Sequence, residues 1–312
     1  MGDIGLTGDI KRLERLLALE KQRRGLPAGA LVFVGMHNAA QHWWCTQQAV
    51  LKSRGGELTF FAAHLQDRIQ MAQRLGLIGK LPRSNETILD IGRNLSLADV
   101  ETYLKNDHQN PSEGRPGPRA TVLYEDRVDK KGRCLRSVSP DLTEDERKEY
   151  EADAAAKGIA VIGVSINTDK LDPMLRGEVL HSTRAERYPS VRWSFPWKKY
   201  TVVGVADGLT KEFAYEYKTT RTRHFLTFVK PVALAQADLY GFFFQRPGKR
   251  VQIHVVDENR TETYGAPVNI ARAEETLAAF ARVEGGAPAH PPKAWKCNAC
   301  EFRLDCPINQ SK

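Results

Sequence analysis

Two carboxylates and a lysine in the middle of the chain have the spacing of a site that cleaves phosphodiesters with a bound metal. Asp207 lies in the segment GVADG, and Glu216 and Lys218 lie in YEYK. On a strand, residues two apart point to the same face, so Glu216 and Lys218 would meet one phosphate. Carboxylates hold divalent cations, and the lysine can stabilise charge on the attacking water or in the transition state. The carbonyl of Tyr217 is a further candidate metal ligand.

The same residues have a simpler interpretation as a solvated strand face, since an aspartate followed by Glu-x-Lys occurs by chance on many amphipathic strands. The order of the neighbouring elements favours the metal site. Asp207 and Glu216 lie on two predicted strands joined by a short turn, and a helix is predicted from Phe228 to Phe244. Gln236 and Tyr240 on this helix are four residues apart and therefore share one face.

Four cysteines form a second candidate site. Cys45 stands alone in HWWCTQQ, whereas Cys297, Cys300 and Cys306 form a C-x2-C-x5-C run followed by proline. Such a run is compatible with a zinc site, a redox pair or an iron–sulfur site. Zinc would require a fourth ligand nearby, for which His290 is a candidate. A redox pair is disfavoured because a thioredoxin-like C-x-x-C opens a helix near the start of a βαβ unit.

Composition places the chain among ordinary globular proteins. Its 312 residues, 41% of them hydrophobic, suffice for one large domain or two smaller ones. Five cysteines without a signal-peptide pattern do not indicate a disulfide framework, and Cys134 is the one left over. No apolar run approaches the roughly 18 residues of a membrane span. We therefore expect a cytoplasmic protein with no membrane partner.

The charge balance permits a nucleic-acid partner without requiring one. The chain carries 46 Lys and Arg against 38 Asp and Glu, a formal net charge of +8. Aromatic and basic side chains alternate in one segment that is a candidate DNA contact, formed by Arg192, Trp193, Phe195, Trp197, Lys198 and Lys199. Its rings would stack on bases and its cations would contact phosphates. The alternative is an edge of the core with basic flanks.

Four regions are expected along the chain: an N-terminal helical region (1–90), an insertion or flap (91–190), a nuclease core (191–285) and a C-terminal cysteine segment (286–312). The insertion is inferred from a polar stretch rich in charge, proline and glycine at 106–150. In the first region, one predicted helix carries Cys45 and a second, from about Leu58 to Leu75, carries His64.

The central motif resembles the RecB-like branch of the PD-(D/E)XK nuclease superfamily. Asp207 with Glu216-x-Lys218 matches the catalytic motif, and Gln236-x3-Tyr240 matches the element that lies over the active site in that branch. The resemblance implies an α/β fold with a restriction-endonuclease-like core, in which helices flank a mixed central sheet. It also implies that Mg²⁺ or Mn²⁺ is bound.

A histidine completes the metal shell in the RecB-like branch, and His64 is the candidate here. The family's glycine close ahead of that histidine is absent before His64, and Gly56 lies farther away. The alternative is that His64 is a core residue with its hydrogen bonds satisfied.

The cysteines are similar to the four-cysteine cluster of RecB-like nucleases, most closely that of the CRISPR-associated Cas-four exonuclease family. The resemblance implies that Cys45, Cys297, Cys300 and Cys306 bind a [4Fe–4S] cluster in a helical region that joins the two ends of the chain. It covers about residues 40–75, 200–245 and 295–307.

The resemblance implies an iron–sulfur, metal-dependent DNA exonuclease that acts on single strands or frayed ends. Within the Cas-four family it would process the ends of prespacer DNA in CRISPR adaptation, with the integrase complex as partner, and homo-oligomers are a further expectation. The alternatives are a DNA repair or phage recombination nuclease, and a non-catalytic zinc or iron–sulfur DNA-binding scaffold.

Overall fold

The computed structural model describes residues 10–80, 82, 84–102, 124–128, 134–138, 144–157, 160–163, 180–181, 185–186 and 188–310. Its helices include α1 (Ile10–Arg23), α2 (Met36–Ala40), α3 (Thr46–Arg74), α4 (Asn85–Asp90), α5 (Glu144–Ala156), α6 (Arg223–Phe243), α7 (Ile270–Glu284), α8 (Ala294–Asn298) and α9 (Pro307–Gln310). Its strands are β1 (Phe33–Gly35), β2 (Tyr124–Val128), β3 (Cys134–Val138), β4 (Ala160–Gly163), β5 (Arg192–Trp197), β6 (Tyr200–Val205), β7 (Gly208–Leu209), β8 (Phe213–Thr220), β9 (Gly248–Val255) and β10 (Arg260–Pro267).

Two mixed sheets flanked by helices form the centre of the protein. In the first sheet, β6 pairs with β1 in parallel and with β5 antiparallel. In the second, the order is β10-β9-β8-β7, and only β8 and β9 run parallel. The chain is therefore a mixed α/β protein, as predicted at the level of fold class. A third small sheet, β2-β3-β4, lies within the predicted insertion.

The chain passes from the first sheet to the second at Asp207, between β6 and β7. Gly208 follows, and a side chain at this position would collide with Tyr188. Beyond β7, the Thr210 hydroxyl accepts hydrogen bonds from the backbone N–H groups of Glu212 and Phe213 and closes the turn into β8. This short connection holds Asp207 beside the strand that carries the Glu-x-Lys motif.

Helix α3 is one helix where the sequence predicted two. It runs from Thr46 to Arg74 without a break at Gly55 and Gly56. Glycine costs only about 1 kcal/mol in a helix, and burial of the α3 face against the first sheet outweighs that cost. Cys45 lies outside the helix as its extended N-cap residue, not within it.

Strand β10 was not predicted, because six of its eight residues are exposed and the strand has no apolar alternation. It forms through backbone pairing with β9 over the whole length of both strands, from Arg260 opposite Val255 to Pro267 opposite Gly248. A neighbouring strand, not local hydrophobicity, therefore defines this element.

Helix α6 carries the Gln-x3-Tyr motif and begins five residues before the predicted start. Its Asp238 is fully buried and binds Lys249 of β9 and Arg272 of α7. The same carboxylate accepts a hydrogen bond from the backbone N–H of Asn269, 2.7 Å away. One buried carboxylate thus ties α6 to the second sheet and to α7.

Among the described residues, no helix combines the length and the apolar character needed to cross a bilayer.

Candidate active site and cysteine pocket

Asp207, Glu216 and Lys218 meet at the junction of the two sheets. Pairing of β7 with β8 places Gly208 opposite Tyr215, so Asp207 lies beside the middle of β8. Its Oδ2 accepts a hydrogen bond from the backbone N–H of Tyr217 at 2.7 Å. Lys218 Nζ contacts Glu216 Oε1, and the Glu216 side chain is only 1% exposed.

The Glu216 carboxylate has the electrostatics of a cation ligand. Burial, the largest cause, and the Asp207 charge raise the pKa of Glu216 to about 8, while Lys218 acts in the opposite direction. Burial would lower the pKa of Lys218, but Glu216 and Asp207 outweigh it and raise that pKa. Glu216 Oε1 has Lys218 Nζ as its ion-pair partner, whereas Oε2 is buried with no hydrogen-bond partner in the described part of the chain. A cation at this point would relieve the cost of that burial.

His181 is the histidine that contacts this cluster. Its Nε2 lies 3.3 Å from Asp207 Oδ1, and its ring packs edge-on against Tyr217 with 5.5 Å between the ring centroids. The Nε2 atom is buried and makes no hydrogen bond to the described residues. Asp207, Glu216, His181 and the Tyr217 carbonyl are therefore the groups that fit a divalent cation.

His64 lies elsewhere, and its prediction as the metal-shell histidine needs correction. Its Nδ1 is 2.6 Å from the Ser194 hydroxyl, and its ring is 5.2 Å from that of Phe33. Burial, with the charges of Arg68 and Arg24, holds the pKa of His64 well below its usual range. His64 is a neutral histidine between α3 and the first sheet, as the alternative interpretation proposed.

The sequence contained a signal for His181 that the prediction missed. Gly177 lies four residues before it in RGEVLH, where the RecB-like pattern has a glycine ahead of its histidine. The segment was assigned to the predicted insertion, far from the carboxylates along the chain, and only the tertiary structure brings His181 to Asp207.

Gln236 and Tyr240 lie behind the carboxylates and not at the surface. Both side chains are buried, and Gln236 Nε2 donates a hydrogen bond to the Tyr240 hydroxyl at 2.8 Å. Burial raises the pKa of Tyr240 well above its usual range, and the nearby charges of Glu216 and Asp207 add to this effect. The pair therefore lies in the buried surroundings of the two carboxylates.

Two further residues outside the predicted set, His37 and Lys52, lie near this region. Burial is the largest cause that lowers the pKa of His37 to about 4, and the charges of Lys218 and Lys52 contribute, so His37 is neutral at pH 7. Lys52 lies on α3, where it binds Glu301 of the C-terminal cysteine segment at 2.8 Å.

The four cysteines of the predicted cluster lie in one pocket. Cys45, Cys297, Cys300 and Cys306 line it together with residues that include Trp44, Lys296 and Ile308. All four thiols are free. Burial raises the pKa of Cys45, Cys306 and Cys300 raise it further, and the backbone N–H groups at the start of α3 offset part of the effect. We refer to this site as the cysteine pocket.

The chemistry of the cysteine pocket fits a soft metal or an iron–sulfur cluster, since four thiols converge with apolar side chains around them. His290, the alternative fourth ligand for zinc, is exposed and is not among the pocket residues. Within the described residues, no three His, Cys, Asp or Glu side chains already have the spacing of a bound metal.

The predicted DNA-contacting segment is an edge of the core. Trp193 is 2% exposed, and Arg192 forms a bidentate ion pair with Asp67. Lys199 binds Glu284 at 2.6 Å. At the turn between β5 and β6, Trp197 stacks on Tyr200, and Lys198 lies over the Trp197 ring. These contacts favour the alternative interpretation of a core edge with basic flanks.

Comparison with models of known families finds no match to this chain, and comparison with curated proteins finds none either. Among solved structures, one titled "Crystal structure of SSO0001" is similar, with 13% identity and a TM-score of 0.34, over 95% of this chain and 96% of that one. This likeness is too weak to carry an argument about fold or activity.

Proposed function

We propose that this protein is a divalent-metal-dependent DNA exonuclease that also holds a [4Fe–4S] cluster. The observation that carries the proposal is the meeting of Asp207, Glu216, Lys218 and His181 at one sheet junction, with Glu216 Oε2 buried and without a hydrogen-bond partner in the described residues. Buried polar atoms in proteins ordinarily have such a partner.

Each of these side chains would have its own role in phosphodiester hydrolysis. Asp207, Glu216, His181 and the Tyr217 carbonyl would hold Mg²⁺ or Mn²⁺, which when bound supplies Lewis-acid activation of the phosphate and of a water molecule. Lys218 keeps its proton because of the two carboxylates and stabilises the charge that develops on the phosphate. Gln236 and Tyr240, which share a hydrogen bond, would act as positioning residues on the buried side of the carboxylates.

The cysteine pocket is proposed to have a structural role. Cys45 precedes α3, and the other three cysteines come from the C-terminal segment, so a cluster bound by all four would join segments about 250 residues apart in the sequence. Closing so long a loop limits the freedom of the unfolded chain.

The biological setting follows from the family resemblance. We propose that the exonuclease trims the ends of prespacer DNA in CRISPR adaptation, with the integrase complex as partner, in the cytoplasm. DNA repair or phage recombination is the alternative setting. The second class of function is a non-catalytic zinc or iron–sulfur scaffold that binds DNA.

The test compares anaerobically purified wild-type protein with its Lys218→Ala variant on end-labelled single-stranded DNA, with Mn²⁺, Mg²⁺ or no added metal. We expect metal-dependent shortening of the strand by wild type and its loss in Lys218→Ala, with DNA binding retained. Lys230→Ala is a matched control, because Lys230 lies over the Tyr264 ring and away from the carboxylates. Absence of metal-dependent cleavage by wild type would favour the scaffold.

Iron and zinc content of the same sample tests the cluster. About four iron atoms per chain and broad absorption near 400 nm are expected of a [4Fe–4S] cluster. Stoichiometric zinc without colour would contradict the cluster and leave the carboxylate site to be judged by cleavage alone.

A further inference from the structure

A group of aromatic side chains covers the surface next to the cysteine pocket. The rings of Trp44, Phe225, Phe228 and Trp295 contact one another, and we refer to these four residues as the aromatic platform. Trp295 is at its centre, with ring centroids 5.1 Å from Phe228, 5.5 Å from Trp44 and 6.0 Å from Phe225. Three separate segments, the residues before α3, the start of α6 and α8, therefore build one surface.

The aromatic platform is more exposed than a core requires. Phe225 is 40% exposed and Trp295 is 37% exposed. Neither belongs to the three buried hydrophobic clusters of the described residues, whereas Trp44 packs against the largest of them. Adjoining exposed rings of this size mark an interaction surface in a soluble domain.

Two lysines contact rings of the aromatic platform, and two exposed arginines lie within four residues of Phe225 in the sequence. Lys296 Nζ lies 4.2 Å from the centroid of the Trp44 ring, and Lys293 Nζ lies 5.5 Å from that of Phe228. The side chains of Arg221 and Arg223, just before Phe225, are 74% and 60% exposed. Their contacts to Asp257, Glu258 and Glu262 span 3.8 to 4.0 Å, so these ion pairs are weak.

A short segment of the chain connects the strand of the candidate active site to the aromatic platform. Strand β8 carries Glu216 and Lys218 and ends at Thr220, and Arg221 follows directly. Thr222 is the N-cap of α6, so Phe225 lies in the first turn of that helix. On the other side, Lys52 contacts the cysteine segment and adds its charge near His37 and Lys218.

We propose that the aromatic platform binds single-stranded DNA just outside the active site, with unstacked bases on Phe225 and Trp295 and phosphates on Lys293, Arg221 and Arg223. Aromatic rings stack on any base, which suits an enzyme that digests strands regardless of sequence. A duplex has its bases already stacked and would gain nothing from the rings. This inference rests on the proposed function, because the site next to the aromatic platform is taken to act on DNA.

The experiment measures binding without cleavage. Full-length, iron-loaded protein is titrated, with no divalent cation added, into fluorescein-labelled oligothymidylate, into an abasic strand of equal length and into the corresponding duplex. We expect wild type to prefer the thymidylate to the abasic strand. Base stacking on an aromatic ring contributes about 1–3 kcal/mol per base, so Phe225→Ala should weaken thymidylate binding roughly 5-fold or more. Its binding of the abasic strand should change little.

Matched variants distinguish the loss of base stacking from a loss of folding and from a loss of charge. Phe225 does not line the cysteine pocket, so Phe225→Ala should keep its iron and its thermal midpoint. Trp197→Ala is the control, since Trp197 is an aromatic residue beside lysines at the core edge and should leave binding unchanged. Lys293→Gln should weaken binding of both the thymidylate and the abasic strand. It should also reduce the salt dependence of binding by about one charge.

The outcomes distinguish this inference from the proposed function. Equal affinity of wild type and Phe225→Ala, or equal affinity for thymidylate and abasic strands, would overturn the inference even if wild type cleaves DNA. Stacking-dependent binding without any metal-dependent cleavage would support the aromatic platform and refute the nuclease. Tighter binding of the duplex, or competition by an acidic peptide alone, would also count against single-stranded DNA as the occupant.

Discussion

His181 Nε2 lies 3.3 Å from Asp207 Oδ1, and this contact joins a histidine from the region before β5 to the carboxylate between β6 and β7. The pair supplies an imidazole nitrogen and a carboxylate at the same point, a ligand combination that divalent cations accept. His64, the other histidine considered for this role, binds Ser194 on β5 of the first sheet.

We predict that His181→Ala abolishes metal-dependent cleavage while His64→Ala does not. Loss of even an outer-shell partner of a metal typically costs 10- to 100-fold in activity, so removal of His181 should cost at least that much. His64→Ala should lower the thermal midpoint, because the Ser194 hydroxyl loses its partner. End-labelled DNA and calorimetry on both variants provide the check, and equal cleavage by His181→Ala and wild type would contradict the assignment.

The buried carboxylate of Glu216 makes stability depend on pH in the absence of added divalent cation. The pKa of Glu216 is raised from 4.5 to about 8 in the folded protein. The folded state therefore holds this proton more tightly than the unfolded chain. The stabilisation of the folded state by this proton is complete below about pH 4.5 and is lost as the pH rises through about 8.

Glu216→Gln removes this titration and should reveal it. At pH 5 the variant and wild type should have similar thermal midpoints, whereas at pH 9 the variant should be the more stable, by up to several kcal/mol. Glu212→Gln, an exposed residue in the turn before β8, is the control. If the thermal midpoints of wild type and Glu216→Gln changed with pH in parallel, burial would not destabilise the ionised Glu216 carboxylate.

The cysteine pocket predicts a difference between Cys45 and Cys134. Cys45→Ser should lose most of its iron and unfold at a lower temperature, because one of the four ligands that join the chain ends is missing. Cys134→Ser should keep its iron, since Cys134 lies on β3 in the insertion. Metal analysis and thermal melts test this, and a full iron complement in Cys45→Ser would remove Cys45 from the cluster.

Asp238 should be required for folding and not for chemistry. It is fully buried and binds Lys249 and Arg272. Breaking one partner of a buried ion pair typically costs about 3–5 kcal/mol. Asp238→Ala should therefore unfold at a much lower denaturant concentration, while Asp257→Ala, whose side chain is 50% exposed, should change little. Equal unfolding midpoints for the two variants would contradict this role.

Local pattern was sufficient for several elements and for the main chemical groups. Apolar spacing correctly predicted the strand that carries Glu216 and the strand that ends just before Asp207, because burial of one face imposes the strand period directly on the sequence. Asp207 itself lies between β6 and β7 and not on the strand predicted for it. Residues close in sequence, such as Gln236 and Tyr240, could be paired by spacing alone, and the structure places them in hydrogen-bond contact.

The sequence by itself determined the Glu-x-Lys strand and the C-x2-C-x5-C run, whereas the α/β class and the addition of Cys45 to that run came from the family resemblance. Tertiary structure decided which histidine reaches Asp207, that Trp193 is buried, that β10 pairs with β9, and that Phe225 and Trp295 share one surface. Those features depend on contacts between residues distant in the chain. Local periodicity indicates which face of an element is buried, whereas the packing of the whole chain determines which residues contact that face.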